Sequence, residues 1–486
     1  MSYLEIVKMI VNILFTAIGL LTAHFFLFGL LGLFIKRKYP KTDEKLRYAL
    51  IIPARNEESV VTGLIESIQK NNYPQDKLTV FVISHNSTDR TAEVARAAGA
   101  EVYEYNNPAE NTMGYAFKYL FGCIRRDYGK DAFDGYFLFN ADNILDKNYI
   151  SYMNDAFVAC GRECVITSFR NSKNFGSNLI SGLYGIYFAI GCRFESRART
   201  ALGCSTRVQG TGYVVPPHVV ENGWEYVTLA EDWEFTADRV LRENRIFYCD
   251  DAVFYDEQPT SPRIMWRQRV RWSRGHLIVF FTRIKDLIRA LFSPKTKHRV
   301  SIYDITVNTL PVPLIFLFVY ALQLILLLIA PLIDKGLSFG DLFLGNPVSS
   351  ILSVGAFSRW LNHPMLTESV IMDGIQRTIN SADLSFIDNL PAWIKYPLFS
   401  DGVLFGWLRS LIGYNATLFA NAILMFFVER KRIKNVKFIN KVLVVLFWPI
   451  FLMIQVPIDI QAICSKNLAW KPIPHSDKTS FEHVNV

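Results

Sequence analysis

Several polar clusters in this chain have the residue types and spacing of a reactive centre. Glu231-Asp232-Trp233-Glu234 lies just beyond Gln209-Gly210-Thr211-Gly212-Tyr213. Two carboxylates crowded beside a flexible glycine turn raise the proton affinity of one of them, which suits a general base. The same acids also suit a solvated helix start, at the positive end of the helix dipole. In Phe139-Asn140-Ala141-Asp142-Asn143, an apolar run ends on Asp142. A carboxylate there, opposite a diphosphate, is the hard oxygen ligand that Mg²⁺ or Mn²⁺ takes. Gln268, Arg271 and Trp272 fall at i, i+3 and i+4, one face of a helix opened by Ser261 and Pro262. That face offers an amide, a cation for a departing diphosphate, and an aromatic surface for a sugar ring or the membrane boundary.

Two further clusters come after apolar runs: Pro53-Ala54-Arg55-Asn56-Glu57-Glu58, and His85-Asn86-Ser87-Thr88-Asp89-Arg90-Thr91. Polar residues at successive strand ends of one sheet form a crevice able to hold a nucleotide. Taken singly, either could be a helix cap, with Ser87, Thr88 and Asp89 as capping residues.

These clusters need a scaffold of strands and helices. Tyr48 to Ile52, Thr79 to Ser84, Tyr136 to Asn140 and Cys164 to Ser168 read as buried strands, separated by helical stretches such as Ser59 to Asn71 and Ala92 to Ala98. Alternation of this kind predicts a largely parallel α/β sheet with ligands at the carboxyl ends of its strands. The seven cysteines show no metal or disulfide spacing and read as reduced thiols.

The chain has 486 residues, of which 51% are hydrophobic and 20% charged, with a net charge of +8. Its mean hydropathy is +0.18. Such a chain is not intrinsically disordered and is too apolar for a purely soluble globule, so membrane segments are expected. Met9 to Ile35 is about 40 Å long if helical, more than the roughly 30 Å hydrocarbon core. It reads as an anchor, and Lys36, Arg37 and Lys38 after it put the next long stretch of chain in the cytosol. Ser261 to Arg299 carries eleven Lys and Arg against one acid, Asp286, with apolar residues at helical spacing from Leu277 to Leu291, which predicts an interfacial helix. Ile305 to Ile333, with Pro311 and Pro313 near its entry, and Val403 to Val428 read as spans. Val442 to Ile458, broken by Pro449 and Pro457, reads as re-entrant, leaving the tail in the cytosol. The predicted organisation is therefore an anchor (1–40), a cytosolic catalytic domain (41–260), interface helices (261–300), a span (301–333), an extracytoplasmic loop (334–401), spanning and re-entrant helices (402–464) and a cytosolic tail (465–486).

Taken in this order, the motifs resemble those of membrane-integrated family 2 glycosyltransferases, the group containing cellulose, hyaluronan, chitin and poly-N-acetylglucosamine synthases. Pro53 to Glu57, Asn140-Ala141-Asp142 as a variant DxD motif, Glu231-Asp232 as the ED motif and Gln268-Arg271-Trp272 as QxxRW carry the resemblance. It implies an A-type, Rossmann-like α/β glycosyltransferase domain with α-helical transmembrane and interfacial helices. It also implies that Pro53, Ala54, Arg55, Glu57, His85, Asn140 and Asp142 hold the nucleotide, with Asp142 on a divalent metal, Mg²⁺ or Mn²⁺. Asp232, with Glu231 beside it, would be the base. Gly210, Thr211 and Gly212 would line the acceptor, and Gln268, Arg271 and Trp272 would grip the diphosphate and acceptor end. Trp470 and His475 lie in a segment similar to the family's gating loop. Asn140 and His85 stand where the family pattern has acids. The implied partners are a UDP-sugar donor, a growing polysaccharide or a lipid-linked acceptor, and membrane lipids. A homo-oligomer is compatible with this, and no nucleic acid is implied. The implied setting is a bacterial plasma membrane with the catalytic domain on the cytosolic face. A non-catalytic membrane scaffold is the reading that the two missing acids favour.

Overall fold

A computed structural model describes residues 3–335, 403–434, 436–465, 473 and 475–484. The expected extracytoplasmic loop, 334–401, and Trp470 lie almost wholly outside the described residues. The chain begins with α1 (Tyr3–Phe34) and then enters an α/β domain. The elements of that domain are β1 (Tyr48–Ala54), α2 (Val61–Gln69), β2 (Leu78–His85), α3 (Thr91–Ala97), β3 (Glu101–Tyr105), α4 (Met113–Tyr128), β4 (Gly135–Leu138), β5 (Ile144–Leu145) and α5 (Tyr149–Ala159). It continues with β6 (Val165–Ser172), α6 (Leu179–Ile190), a π-helical turn (Gly191–Ser196), α7 (Arg197–Ala201), β7 (Tyr213–Val215), α8 (Glu231–Leu241) and β8 (Ile246–Asp256). The remaining helices are α9 (Pro262–Phe292), α10 (Arg299–Thr309), α11 (Val312–Lys335), α12 (Val403–Val428), α13 (Phe438–Met453), α14 (Gln455–Cys464) and a last turn, α15 (Phe481–Val484).

The eight strands form one sheet in the order β3-β2-β1-β4-β7-β6-β8-β5. The four predicted strands are all present, and β1, β2, β3 and β4 run parallel as expected. The second half departs from the prediction. β7 pairs antiparallel with both β4 and β6, and β5 pairs antiparallel with β8, so the sheet is mixed. The alternation in β1 explains the two layers. Tyr48, Leu50, Ile52 and Ala54 face a core with Leu64 and Ile65 of α2 and Met153 of α5, whereas Ala49 and Ile51 face Phe117 and Leu120 of α4. Phe235 of α8, Leu287 of α9 and Ile302 of α10 complete that second layer. Burial of these side chains, worth about 1.5–3 kcal/mol each, fixes the strand ends that carry the polar clusters.

Among the described residues, three stretches are long and apolar enough to cross a membrane: Glu5–Phe34, Leu411–Val428 and Phe438–Cys464. The predicted span from Ile305 is instead two helices, Arg299–Thr309 and Val312–Leu326, which pass the same test together and are bent by 58°. The bend falls at Leu310 and Pro311. Pro311 has no backbone N–H to continue the first helix, and its ring disfavours helical geometry at Leu310. The segment expected from Val442 is longer than its apolar run, because α13 begins at Phe438 and α14 carries on past Pro457.

Candidate active site

The loops after β1 and β2 are stitched together by their own side chains. Asn56 and Asn86 adopt left-handed φ values of 58° and 52°, which Asn tolerates better than most residues. The Thr88 amide donates to Asn56 Oδ1 at 2.8 Å, the Glu57 amide to Thr91 Oγ1 at 2.8 Å and the Asn56 amide to Ser87 Oγ at 3.2 Å. Ser87, Thr88 and Thr91 therefore hold the two expected nucleotide-binding segments side by side. Pro53 and Ala54 end β1, and Arg55 comes after them close enough to disfavour charge on His85. The His85 ring is stacked 5.7 Å from Tyr105 and hydrogen-bonds through Nε2 to the Glu110 carbonyl at 2.7 Å. That bond needs a proton on Nε2, and burial lowers the affinity of the ring for a second one.

Glu57 does not point into open solvent. Both of its carboxylate oxygens lie 2.9 Å from Nδ1 of His475, which is 418 residues away in the chain. Burial opposes charge on His475, yet Asp142 and Glu57 together push it up to about 9, so it is an imidazolium at neutral pH. The tail is clamped around it: Ser59 Oγ donates to the His475 carbonyl at 2.8 Å, and the amides of Ser476 and Asp477 donate to the Glu257 carboxylate at 3.1 and 2.9 Å. His475 thus lies at the strand-end crevice, and the first partner of Glu57 is the tail.

Asp142 is 3% exposed. Its Oδ2 accepts from the Glu257 amide at 2.7 Å and its Oδ1 from Asn143 Nδ2 at 3.3 Å. Asn140 supplies no charge; its amide donates to Thr211 Oγ1 at 2.8 Å. Thr211, expected at the acceptor, is 1% exposed and ties the Asn140 loop in place. Gly212 is likewise turned inward: its φ is +69°, and a Cβ there would lie 2.2 Å from the Phe254 ring. Only Gly210 of the three faces the carboxylates, with its absent Cβ position 3.7 Å from Asp232 Oδ2.

Glu231 and Asp232 open α8, where the helix dipole favours acids. Burial and then the Asp232 charge push Glu231 up to about 8, so it keeps its proton at neutral pH. Burial raises Asp232 as well, opposed by Arg207, the Trp233 amide at 2.9 Å, Arg271 and Arg170. The outcome is a protonated Glu231 beside an Asp232 surrounded by cations. Arg271 donates to the Leu229 carbonyl at 3.3 Å, beside these acids. Gln268 has a buried Oε1 with no hydrogen-bond partner among the described residues. Trp272 meets Tyr184 and Phe188 edge-on, with ring centroids at 5.9 and 6.2 Å.

The sequence reading missed two arginines. Arg170 lies in β6, stacked 3.6 Å from Phe188, and donates to Asp256 Oδ2 and the Gln209 carbonyl, both at 2.7 Å. A charge inside an otherwise buried strand was a usable signal, since it demands a partner. Arg207 pairs with Glu195, and its position in a loop gave no such signal.

Residues 46–275 match the family model described as "Glycosyltransferase like family 2". Over this segment, a little under half of the chain, the protein is similar to family 2 glycosyltransferases. The sheet just described is therefore of the A-type, Rossmann-like kind, and the chain is an enzyme of the glycosyltransferase class, which removes the scaffold reading. The glycosyltransferase domain has relatives of several names. The probable glycosyltransferase YdaM of Bacillus subtilis is 24% identical over 347 residues, 69% of this chain and 78% of that one. Poly-beta-1,6-N-acetyl-D-glucosamine synthase of Staphylococcus aureus is 23% identical, over 54% of this chain and 60% of that one. Beta-monoglucosyldiacylglycerol synthase of Synechocystis is 22% identical, over 46% and 47%. The chain thus spans about half the length of these last two relatives. A solved mannosyltransferase from Pyrobaculum calidifontis, in complex with GDP-Man and Mn²⁺, overlays with a TM-score of 0.46 at 15% identity, covering 80% of this chain and 99% of that one.

Proposed function

We propose that the protein transfers a sugar from a UDP-sugar, UDP-glucose or UDP-N-acetylglucosamine, with inversion at the anomeric carbon, at the cytosolic face of a bacterial plasma membrane. The observation that carries this reading is the Glu231-Asp232 pair at the start of α8, with Asp232 Oδ2 under Gly210 and the charges of Arg207 and Arg271 opposing the effect of burial on Asp232. Asp232 takes the proton of an acceptor hydroxyl as that oxygen bonds to the anomeric carbon, while the bond from that carbon to the diphosphate oxygen breaks. Arg271 stabilises the charge that develops on the departing UDP. Glu231, being protonated, adds no repulsion to the incoming oxygen.

Pro53, Ala54, Arg55, Glu57 and His85 form the nucleotide side of the crevice. His85 stands where the family has an acid; with its proton on Nε2 it offers the Nδ1 lone pair to a base, a neutral substitute for a carboxylate acceptor. The donor set next to it is hard oxygen: Asp142, with Glu57 and Glu257 as charged neighbours. That chemistry fits Mg²⁺ or Mn²⁺ held by Asp142 jointly with donor phosphate oxygens, and the cation when bound neutralises the diphosphate. The His475 imidazolium already supplies one positive charge among these carboxylates, in keeping with a tail that closes over a bound nucleotide.

The acceptor side is aromatic. Trp272, half-buried and backed by the buried rings of Tyr184 and Phe188, is suited to a sugar ring, and the unpartnered Gln268 amide oxygen suits a hydroxyl donor. We infer that the product is a β-linked polysaccharide, extended processively and passed across the membrane. A second reading, one sugar added to a lipid-linked acceptor, is favoured by the small number of membrane-length helices among the described residues. Incubating the purified protein with each UDP-sugar in turn, and sizing the product alongside UDP release, tests both. A ladder or high polymer supports extension, a single addition to lipid supports the second reading, and no UDP release with any donor overturns the donor class.

A further inference from the structure

We propose that Arg207 is a positioning residue for the reaction: gripped by Glu195 and Trp233, it fixes the charge and orientation of the Asp232 carboxylate. The inference rests on the reading of Asp232 as the base. Arg207 lies three residues before Gly210, the residue that abuts Asp232. Its side chain is only 15% exposed, against 37% for Glu195. Nε and Nη2 reach the same Glu195 oxygen at 3.0 and 2.9 Å, and the guanidinium lies 5.0 Å from the centre of the Trp233 ring. Trp233 comes directly after Asp232, so the residue that stacks on the cation also sets the backbone that carries the base. The other neighbour of Trp233 is His276, 4.5 Å away, held on the Asn308 carbonyl. Burial, with Arg207 adding to it, pushes His276 down to about 4, which leaves no second cation on that ring.

The backbone around Glu195 supports a functional role. Glu195 belongs to the π-helical turn Gly191–Ser196 between α6 and α7. Such turns are uncommon, and they concentrate at functional sites. The same turn places the Cys192 sulfur 3.4 Å from the amide of Arg170, the other arginine of the site that the sequence did not reveal. A mere surface ion pair with Glu195 would need neither burial nor a stacked ring.

The charged and titratable groups that bear on Asp232 are Arg207, Arg271 on α9, Arg170 on β6, its neighbour Glu231, and Tyr213 on β7; Arg207 is the strongest of the three cations. Removing it should make Asp232 harder to ionise. The test is the pH dependence of kcat/KM for UDP release by the full-length protein in detergent, with UDP-glucose and UDP-N-acetylglucosamine as donors. In R207Q the acid limb should move up by about one unit, giving roughly a tenfold loss on the acid side that is recovered at high pH. Donor affinity should stay within about twofold. R207K keeps the charge and should hold the limb within about 0.3 unit of wild type. A loss of equal size at every pH in R207Q, or a limb in R207K that moves as far as in R207Q, overturns the inference. Should R207Q not fold, R207K decides alone: a wild-type limb supports the assignment, and a shifted limb or a uniform loss overturns it. D232N separates this from failure of the base itself. An active D232N removes the reading of the base, whereas an inactive D232N with an unmoved R207Q limb removes only the role of Arg207.

Discussion

Replacing Arg170 with methionine should cost the catalytic domain about 3–5 kcal/mol of stability, the usual consequence of removing one partner of a buried ion pair. The structure sets that magnitude. The Arg170 side chain is 11% exposed and that of Asp256 is 2% exposed. Methionine keeps much of the apolar packing on Phe188 but leaves Asp256, among the described residues, with only Gln258 Nε2, at 2.6 Å, as a side-chain donor. The Gln209 carbonyl also loses its partner, and with it the loop that leads to Gly210 loses an anchor. For a domain of this size 1 kcal/mol moves the melting temperature by about 2–4 °C, so a fall of roughly 6–20 °C is expected. Tryptophan fluorescence during heating in detergent micelles, at pH 7.5, reads it directly. Burial pushes Asp256 up to about 6, so the deficit should shrink below that pH, where the acid is neutral. The double variant R170M/D256N removes both charges and should regain at least half of the loss. An R170M protein that melts within about 2 °C of wild type, or a double variant no more stable than the single one, would refute the reasoning.

Two other perturbations draw on the same geometry. Glu231, pushed up to about 8 from an ordinary 4.5, binds a proton in the folded state that the unfolded chain gives up. The stability it contributes is complete below pH 4.5 and is lost as the pH rises through 8, so E231Q should flatten the decline in melting temperature between pH 5 and 9. An unchanged slope would contradict the assignment of the proton. Gly275 of α9 lies against the start of α8: a Cβ there would sit 2.4 Å from the Cβ of Ala230 and 2.9 Å from its amide nitrogen. G275A should therefore cost about 1–3 kcal/mol and, by displacing Glu231 and Asp232, lower kcat while leaving donor affinity within about twofold. Thermal melts and donor titration calorimetry check both parts, and a wild-type melt would show that the two helices can separate freely.

Much of this site was legible before the fold was seen, for physical reasons that also mark where legibility ended. The apolar runs of β1 and β2 and the polar residues after them are local signals, and they fall at strand ends as expected. The Gln268-Arg271-Trp272 face lies on a helix with Pro262 in its first turn. The antiparallel insertion of β7 between β4 and β6 was not legible, because three residues of strand carry no record of their partners. Thr211 and Gly212 belong to a turn that looked like an acceptor wall, yet their burial is decided by Asn140 and Phe254, remote in the chain. The contact of His475 with Glu57 spans nearly the whole sequence, and no spacing rule reaches so far.

The most direct test of the central claim is the turnover of D232N, measured as UDP release with saturating UDP-glucose or UDP-N-acetylglucosamine, next to UDP affinity by calorimetry. General-base assistance is worth about 10²- to 10⁴-fold in rate. The account predicts a loss of that size in D232N, with UDP affinity nearly unchanged because Glu57, His85 and Asp142 are untouched. A D232N protein that releases UDP at the wild-type rate would contradict it.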